Sequence, residues 1–221
     1  MSALPEDAAE SLRRAWEPRF RRFIAEQPDC DPGHGPAHLE RVVATAMRLA
    51  AKEGARPEVV LPAAWLHDCV HVAKDSPERG RASRLAAEHA LRFLESAGYP
   101  AAALPGIRHA IEAHSYSAGI APESLEAKVV QDADRLDALG AIGLARCFAV
   151  GAALGRPVYA PVDPFCRKRE PDDRGASVDH FYAKLLKLAG TMQTAAGRRE
   201  AERRTAFLHA FLAQLESEIA P

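Results

Sequence analysis

The chain has 221 residues, 48% hydrophobic and 27% charged, with a formal net charge of -1. That length suits one domain with a sizeable core, and that charge excludes a global attraction to nucleic acid or to an acidic membrane. The four cysteines are widely scattered with no CxxC pair, which excludes a disulfide framework and a Cys-rich zinc module.

The opening MSALPEDAAESLRR lacks the basic-then-apolar pattern of a signal peptide, and no run approaches eighteen apolar residues. The expectation is a cytoplasmic protein without a membrane span. Strand signals are scarce. Ala, Leu, Glu and Arg dominate, and apolar residues recur every three or four positions, which predicts an all-α fold.

In chain order, residues 7–26 read as a helix that Pro18 could kink. DCDPGHGP (29–36) is a loop. Pro36 suits the first turn of a second helix that stops at Gly54, with Leu39, Val42, Val43, Ala46, Leu49 and Ala50 on its apolar face. Pro57 opens a third helix that carries Val60, Ala64, Trp65 and Leu66 into His67-Asp68, and the polar AKDSPERG follows. A fourth helix covers about 81–97 and a fifth about 101–116. A sixth starts at Pro122 and runs to about Leu154, with a break near Gly140. Residues 156–176, rich in proline and charge, form a long loop and a candidate lid. Helices at about 177–193 and 197–219 finish the chain. The pattern fits a single domain over 1–221, with a core at about 30–150 and a C-terminal helical extension at about 177–219.

Nitrogen and oxygen ligands fall on three separate helices: His38 in HLERV on the second, His67 and Asp68 at the end of the third, and Asp134 in QDADRLDALG on the sixth. Two imidazoles and two carboxylates suit a divalent metal such as Mn²⁺, Fe²⁺, Ni²⁺, Zn²⁺ or Mg²⁺. A lone histidine in an apolar helix is usually a packing residue. Several such groups inside apolar stretches must be paired or metal-bound, because burying them bare is costly. Asp132, Asp134 and Asp137 cannot all point the same way along one helix.

The order H…HD…D, with HLERV, LHDCV and DADRLDALG as its contexts, resembles the HD-domain metal-dependent phosphohydrolase superfamily over about 30–150. SRLAAEHA, AIEAHS, VVQDADRLDALGAIGLAR and KLLKLAGTMQTAAGRREAERR are similar to a bacterial subgroup, which extends the likeness over most of the chain. The resemblance implies an HD-type helical bundle with additional C-terminal helices, a bound divalent metal, and His38, His67, Asp68 and Asp134 as its ligands. Asp134 is preferred because the family's ligand stands in an Asp-x-Leu context, matched by Asp134-Arg135-Leu136. Asp132 is the fallback, or an acceptor that orients a ligand.

His114 and Lys74 are the candidate catalytic groups, and Arg79, Arg135 and His34 the candidate substrate contacts. Arg135 could equally brace a carboxylate. His71 shares a face with His67 only if the third helix continues, and His109 points away from His114. Cys69-Val70-His71 replaces the Glu-Asp pair of the superfamily's guanosine-tetraphosphate hydrolases, and no GYP follows His114, so neither that activity nor cyclic-dinucleotide cleavage is expected.

The function implied is metal-dependent hydrolysis of a phosphate ester or anhydride in a small phosphorylated metabolite. A nucleotide leads, since the subgroup includes nucleotide pyrophosphohydrolases. The alternatives are a two-iron oxygenase on the same scaffold and a catalytically silent nucleotide-binding module. No nucleic-acid or membrane partner is expected, and self-association of the chain is left open.

Overall fold

The computed structural model describes residues 6–27, 35–72, 76–115 and 118–219. Among them are nine α-helices and no strand, so the chain is all-α. The helices are α1 (Glu6–Ala25), α2 (Pro36–Glu53), α3 (Pro57–Leu66), α4 (Ala82–Ser96), α5 (Leu104–His114), α6 (Leu125–Leu136), α7 (Gly140–Ala153), α8 (Ser177–Ala183) and α9 (Ala195–Ile219). Short 3-10 turns cover Pro77–Arg81, Ala101–Ala103 and Leu185–Thr191. No single described helix is long and apolar enough to cross a membrane. The chain divides into two compact units between Asp134 and Arg135.

In the first unit α3 is the central element and packs on α1, α2 and α5, while α4 packs on α5. Its sequence PEVVLPAAWL shows no amphipathic stripe, and nine of its ten residues are buried; a helix apolar all round belongs inside a core. Pro62 sits within α3, so the carbonyl of Glu58, four residues earlier, receives no helical N–H. The hydroxyl of Tyr99 donates to that carbonyl instead, at 2.7 Å. α2 buries His38 together with Leu39, Val42, Val43, Ala46 and Leu49, the three-and-four spacing of an amphipathic helix. It ends where Gly54 adopts φ +77° and donates its N–H to Ala50 at 2.8 Å, a left-handed stop that glycine takes without strain. α1 runs through Pro18 as one helix.

The expected sixth helix is two. α6 starts at Leu125 rather than Pro122, because the Ser124 hydroxyl accepts the Ala127 N–H at 3.1 Å and caps it there. The break falls at 137–139, after which Gly140 takes φ +69°. A Cβ at Gly143 would lie 2.1 Å from the Ala138 carbonyl oxygen, so the tight turn depends on that glycine too.

In the second unit α7 packs on α8 and α9, around the Phe148, Phe181 and Phe211 rings, whose centroids lie 5.7–5.9 Å apart. α8 ends at Ala183, short of the expected helix to 193, and the chain continues as a 3-10 turn. The proline-rich loop is pinned at two points. The Asp163 carboxylate accepts the N–H groups of Arg167, Lys168 and Arg169. The Arg169 guanidinium grips Asp179 with two nitrogens, at 2.5 and 2.8 Å.

Candidate metal centre

His67 follows the last residue of α3, so the buried helix delivers it into the interior, where it is 0% exposed. Its Nδ1 lies 2.9 Å from the Ala64 carbonyl. A carbonyl oxygen can only accept, so Nδ1 carries the hydrogen and the neutral ring presents a lone pair at Nε2. His114, at the last position of α5, repeats the device with its Nδ1 2.6 Å from the Ile111 carbonyl.

These lone-pair nitrogens point at carboxylates. His67 Nε2 lies 3.4 Å from Asp68 Oδ2 and 3.8 Å from Asp134 Oδ1. His38 Nε2 lies 3.9 and 3.5 Å from the same two oxygens. His114 Nε2 lies 3.4 Å from the other oxygen of Asp68. His67 Nε2 is buried without a hydrogen bond of acceptable geometry.

An imidazole lone pair facing carboxylate oxygens at this range is repulsive unless something positive lies between them. A proton can fill that role. Burial opposes a charged His67 ring, yet the Asp68 and Asp134 carboxylates outweigh it and push the pKa up to about 9. Burial would raise the Asp68 carboxyl, but the His67 and His114 rings hold it well below the usual carboxylate range. A divalent cation fills the role better, because it satisfies several lone pairs at once. The donor set therefore fits a metal. Two groups have ligand atoms all within 4.8 Å of one another: His38, His67 and Asp134, and His67, Asp68 and His114. The imidazoles form a buried floor, while the Asp68 and Asp134 side chains keep 26% and 28% exposure and leave the centre open to solvent.

All four expected ligands therefore converge, and His114 joins them. Asp132 is fully buried on α6. Arg135 donates to the Thr191 carbonyl at 2.9 Å, a bracing use of its guanidinium. Asp137 pairs with Arg146 at 2.7 Å. α3 stops before His67, so His71 does not share a helix face with it; His109 accepts the Glu123 N–H at 3.0 Å. His34, Lys74 and the side chain of Arg79 lie outside the described residues.

One residue the sequence did not single out belongs in this neighbourhood. Gln131, on α6 one turn before Asp134, donates its amide nitrogen to the Ala113 carbonyl at 2.7 Å. Gln131 stands within the VVQDADRLDALG stretch, but that stretch directs attention to its aspartates; the contact across to α5 is what picks out the glutamine.

Residues 37–139 match the HD domain family. The chain is 34% identical to the YpgQ protein of Bacillus subtilis (strain 168) over 195 residues, 86% of this chain and 87% of that one. Among solved structures, an HD-superfamily hydrolase from Bacillus thuringiensis is 36% identical with a TM-score of 0.68, covering 91% of this chain and 97% of that one. The structure of Bacillus subtilis YpgQ in complex with ADP is 31% identical with a TM-score of 0.71, covering 92% and 97%. Sequence identity of this order, sustained over nearly the whole of both chains with the fold preserved, means that the chain belongs to the HD-domain superfamily of metal-dependent phosphohydrolases.

Proposed function

We propose that the protein hydrolyses a phosphate ester or anhydride of a nucleotide, with a divalent cation held by His38, His67, Asp68 and Asp134. One observation carries the reading: the buried His67 and His114 rings, whose Nδ1 protons are committed to backbone carbonyls, turn their Nε2 atoms towards the partly exposed carboxylates of Asp68 and Asp134. A cation bound there would supply Lewis acidity and a bound water of lowered pKa.

The chain's own groups do the rest. The Ala64 and Ile111 carbonyls fix the tautomers of His67 and His114, so His114 can exchange a proton only at Nε2, the atom that faces Asp68. The exposure of Asp68 and Asp134 lets a small anion reach the centre. Phosphoryl oxygens need nearby positive charge, and we assign this to Lys74 and Arg79, with His34 on the substrate side, from their places beside the His-Asp pair and before α2. Asp132 is assigned to orienting a ligand from within α6. The ADP in the YpgQ structure supports a nucleotide as the substrate class.

The two ligand groups raise the two-iron oxygenase reading. Both, however, include His67, whose single lone pair is at Nε2, and one nitrogen lone pair serves one ion. That favours a single-metal hydrolase.

The test is elemental analysis of the purified protein, with a screen of nucleoside mono-, di- and triphosphates across Mn²⁺, Co²⁺, Ni²⁺, Zn²⁺ and Mg²⁺. His67→Ala and Asp68→Ala should each abolish metal binding and phosphate release while circular dichroism stays helical. Turnover that survives chelation and both substitutions sinks the proposal; two irons with oxygen-dependent turnover would move it to the oxygenase.

A further inference from the structure

Gln131 is 3% exposed, and its amide nitrogen is committed to the Ala113 carbonyl. That bond settles which end of the amide is nitrogen. The other end, Oε1, is buried with no hydrogen-bond partner among the described residues. A buried acceptor left bare is costly to the folded state. The neighbouring α6 positions Val129, Val130 and Ala133 are buried and apolar, so the helix supports side chains without that cost.

Gln131 is tied through the backbone to two members of the centre. Gln131 precedes Asp134 by three residues on α6, the spacing that places side chains on neighbouring parts of one face. Its nitrogen is anchored on the residue before His114. The anchor also satisfies one of the last carbonyls of α5, which have no helical partner, while the His114 ring satisfies another. The cluster itself consists of groups that serve a cation or a bound molecule as electron donors. A water held in it must place its hydrogens on acceptors, and a neutral amide oxygen takes one without adding charge.

Resting on the metal-centre reading, we propose that Gln131 is a positioning residue whose Oε1 accepts a hydrogen bond from a water that a cation in the centre would hold. Its nitrogen fixes the amide so that the oxygen is presented in one orientation.

Two substitutions separate this role from a simple brace between α5 and α6. Gln131→Leu removes acceptor and brace together. Gln131→Glu keeps an acceptor oxygen, but as a carboxylate it cannot donate to Ala113. Mn²⁺ affinity of the full-length protein, measured by calorimetry and by electron paramagnetic resonance of free Mn²⁺, should fall about 10–100-fold in Gln131→Leu, the usual loss when a partner behind a metal ligand is removed. In Gln131→Glu it should stay within a few-fold of wild type. Equal losses in both variants would show that the brace is all that matters, and unchanged affinity in both would show no role at all; either overturns the proposal. If Gln131→Leu does not fold by circular dichroism, Gln131→Met, flexible and also lacking the acceptor, takes its place with the same expectation. A wild-type protein that binds no Mn²⁺ would remove the centre itself, a failure distinct from unchanged affinity in the variants.

Discussion

At the scale of single residues the centre depends on where protons are excluded. His67 and His114 each commit Nδ1 to a carbonyl three residues earlier in their own helix, so the helix backbone chooses the nitrogen that faces the carboxylates. Asp68 is the pivot, because one oxygen faces His114 and the other faces His67 and His38. Asp68→Asn keeps the shape and removes the charge. In metal-free protein the His67 ring should then lose its elevation to about 9, since burial would be opposed chiefly by Asp134 alone. Mn²⁺ affinity should fall by at least the 10–100-fold that losing an outer partner causes. Imidazole NMR titration and calorimetry measure the two effects, and a His67 pKa unmoved in Asp68→Asn would contradict the pairing described here.

At the scale of elements, α3 shows how a sequence rule is broken and repaired. Pro62 removes a donor from the middle of a buried helix, and the Tyr99 hydroxyl, from the turn after α4, replaces it at the Glu58 carbonyl. Tyr99→Phe leaves that carbonyl bare and should destabilise the protein by about 1–3 kcal/mol, read as a lower urea midpoint with an unchanged slope. Adding Pro62→Ala restores a backbone N–H and should narrow the gap between the Tyr and Phe backgrounds. If Tyr99→Phe melts like wild type, the replacement bond contributes nothing. The loop after α7 gives a second prediction. The Arg169 guanidinium holds the Asp179 carboxyl below its usual range, so the clamp is complete above the ordinary aspartate pKa and is lost as pH falls through the lower folded value. Asp179→Asn should therefore speed tryptic cleavage at the exposed Arg167 and Lys168 near neutral pH, and acid should expose the wild-type loop to an acid-active protease; equal resistance of the two proteins at neutral pH would show that the loop is held elsewhere.

Helix positions were legible because spacing and punctuation agree: Pro36 and Pro57 open α2 and α3, and Gly54 closes α2. The start of α6 departs from Pro122 because a serine cap wins over an upstream proline, and α8 ends early because the switch to a 3-10 turn carries no composition signal. The candidate ligands were legible as a set because charged groups inside apolar helices need a reason to be there. Gln131 was not legible, since an amide's role is set by what stands opposite it across the fold.

At the scale of the whole molecule, a cation bound at the cluster would be coupled to folding. Every residue of the cluster lies at or before Asp134, within the first compact unit. A ligand that binds only the native state raises the unfolding free energy by about 2.7 kcal/mol at one hundred times its dissociation constant, so Mn²⁺ should raise the melting temperature of wild type and leave that of His38→Ala where it was. We propose that the chain behaves as a single HD-type domain with a C-terminal helical extension, in which case calorimetry shows one transition and all of it moves with metal. Were the two units to melt independently, two transitions would appear and only the one from the unit carrying the cluster would shift, which would end the single-domain reading and keep the metal centre. A wild-type scan that Mn²⁺ does not move at all would mean that the native cluster holds no cation, however close its nitrogens and oxygens lie.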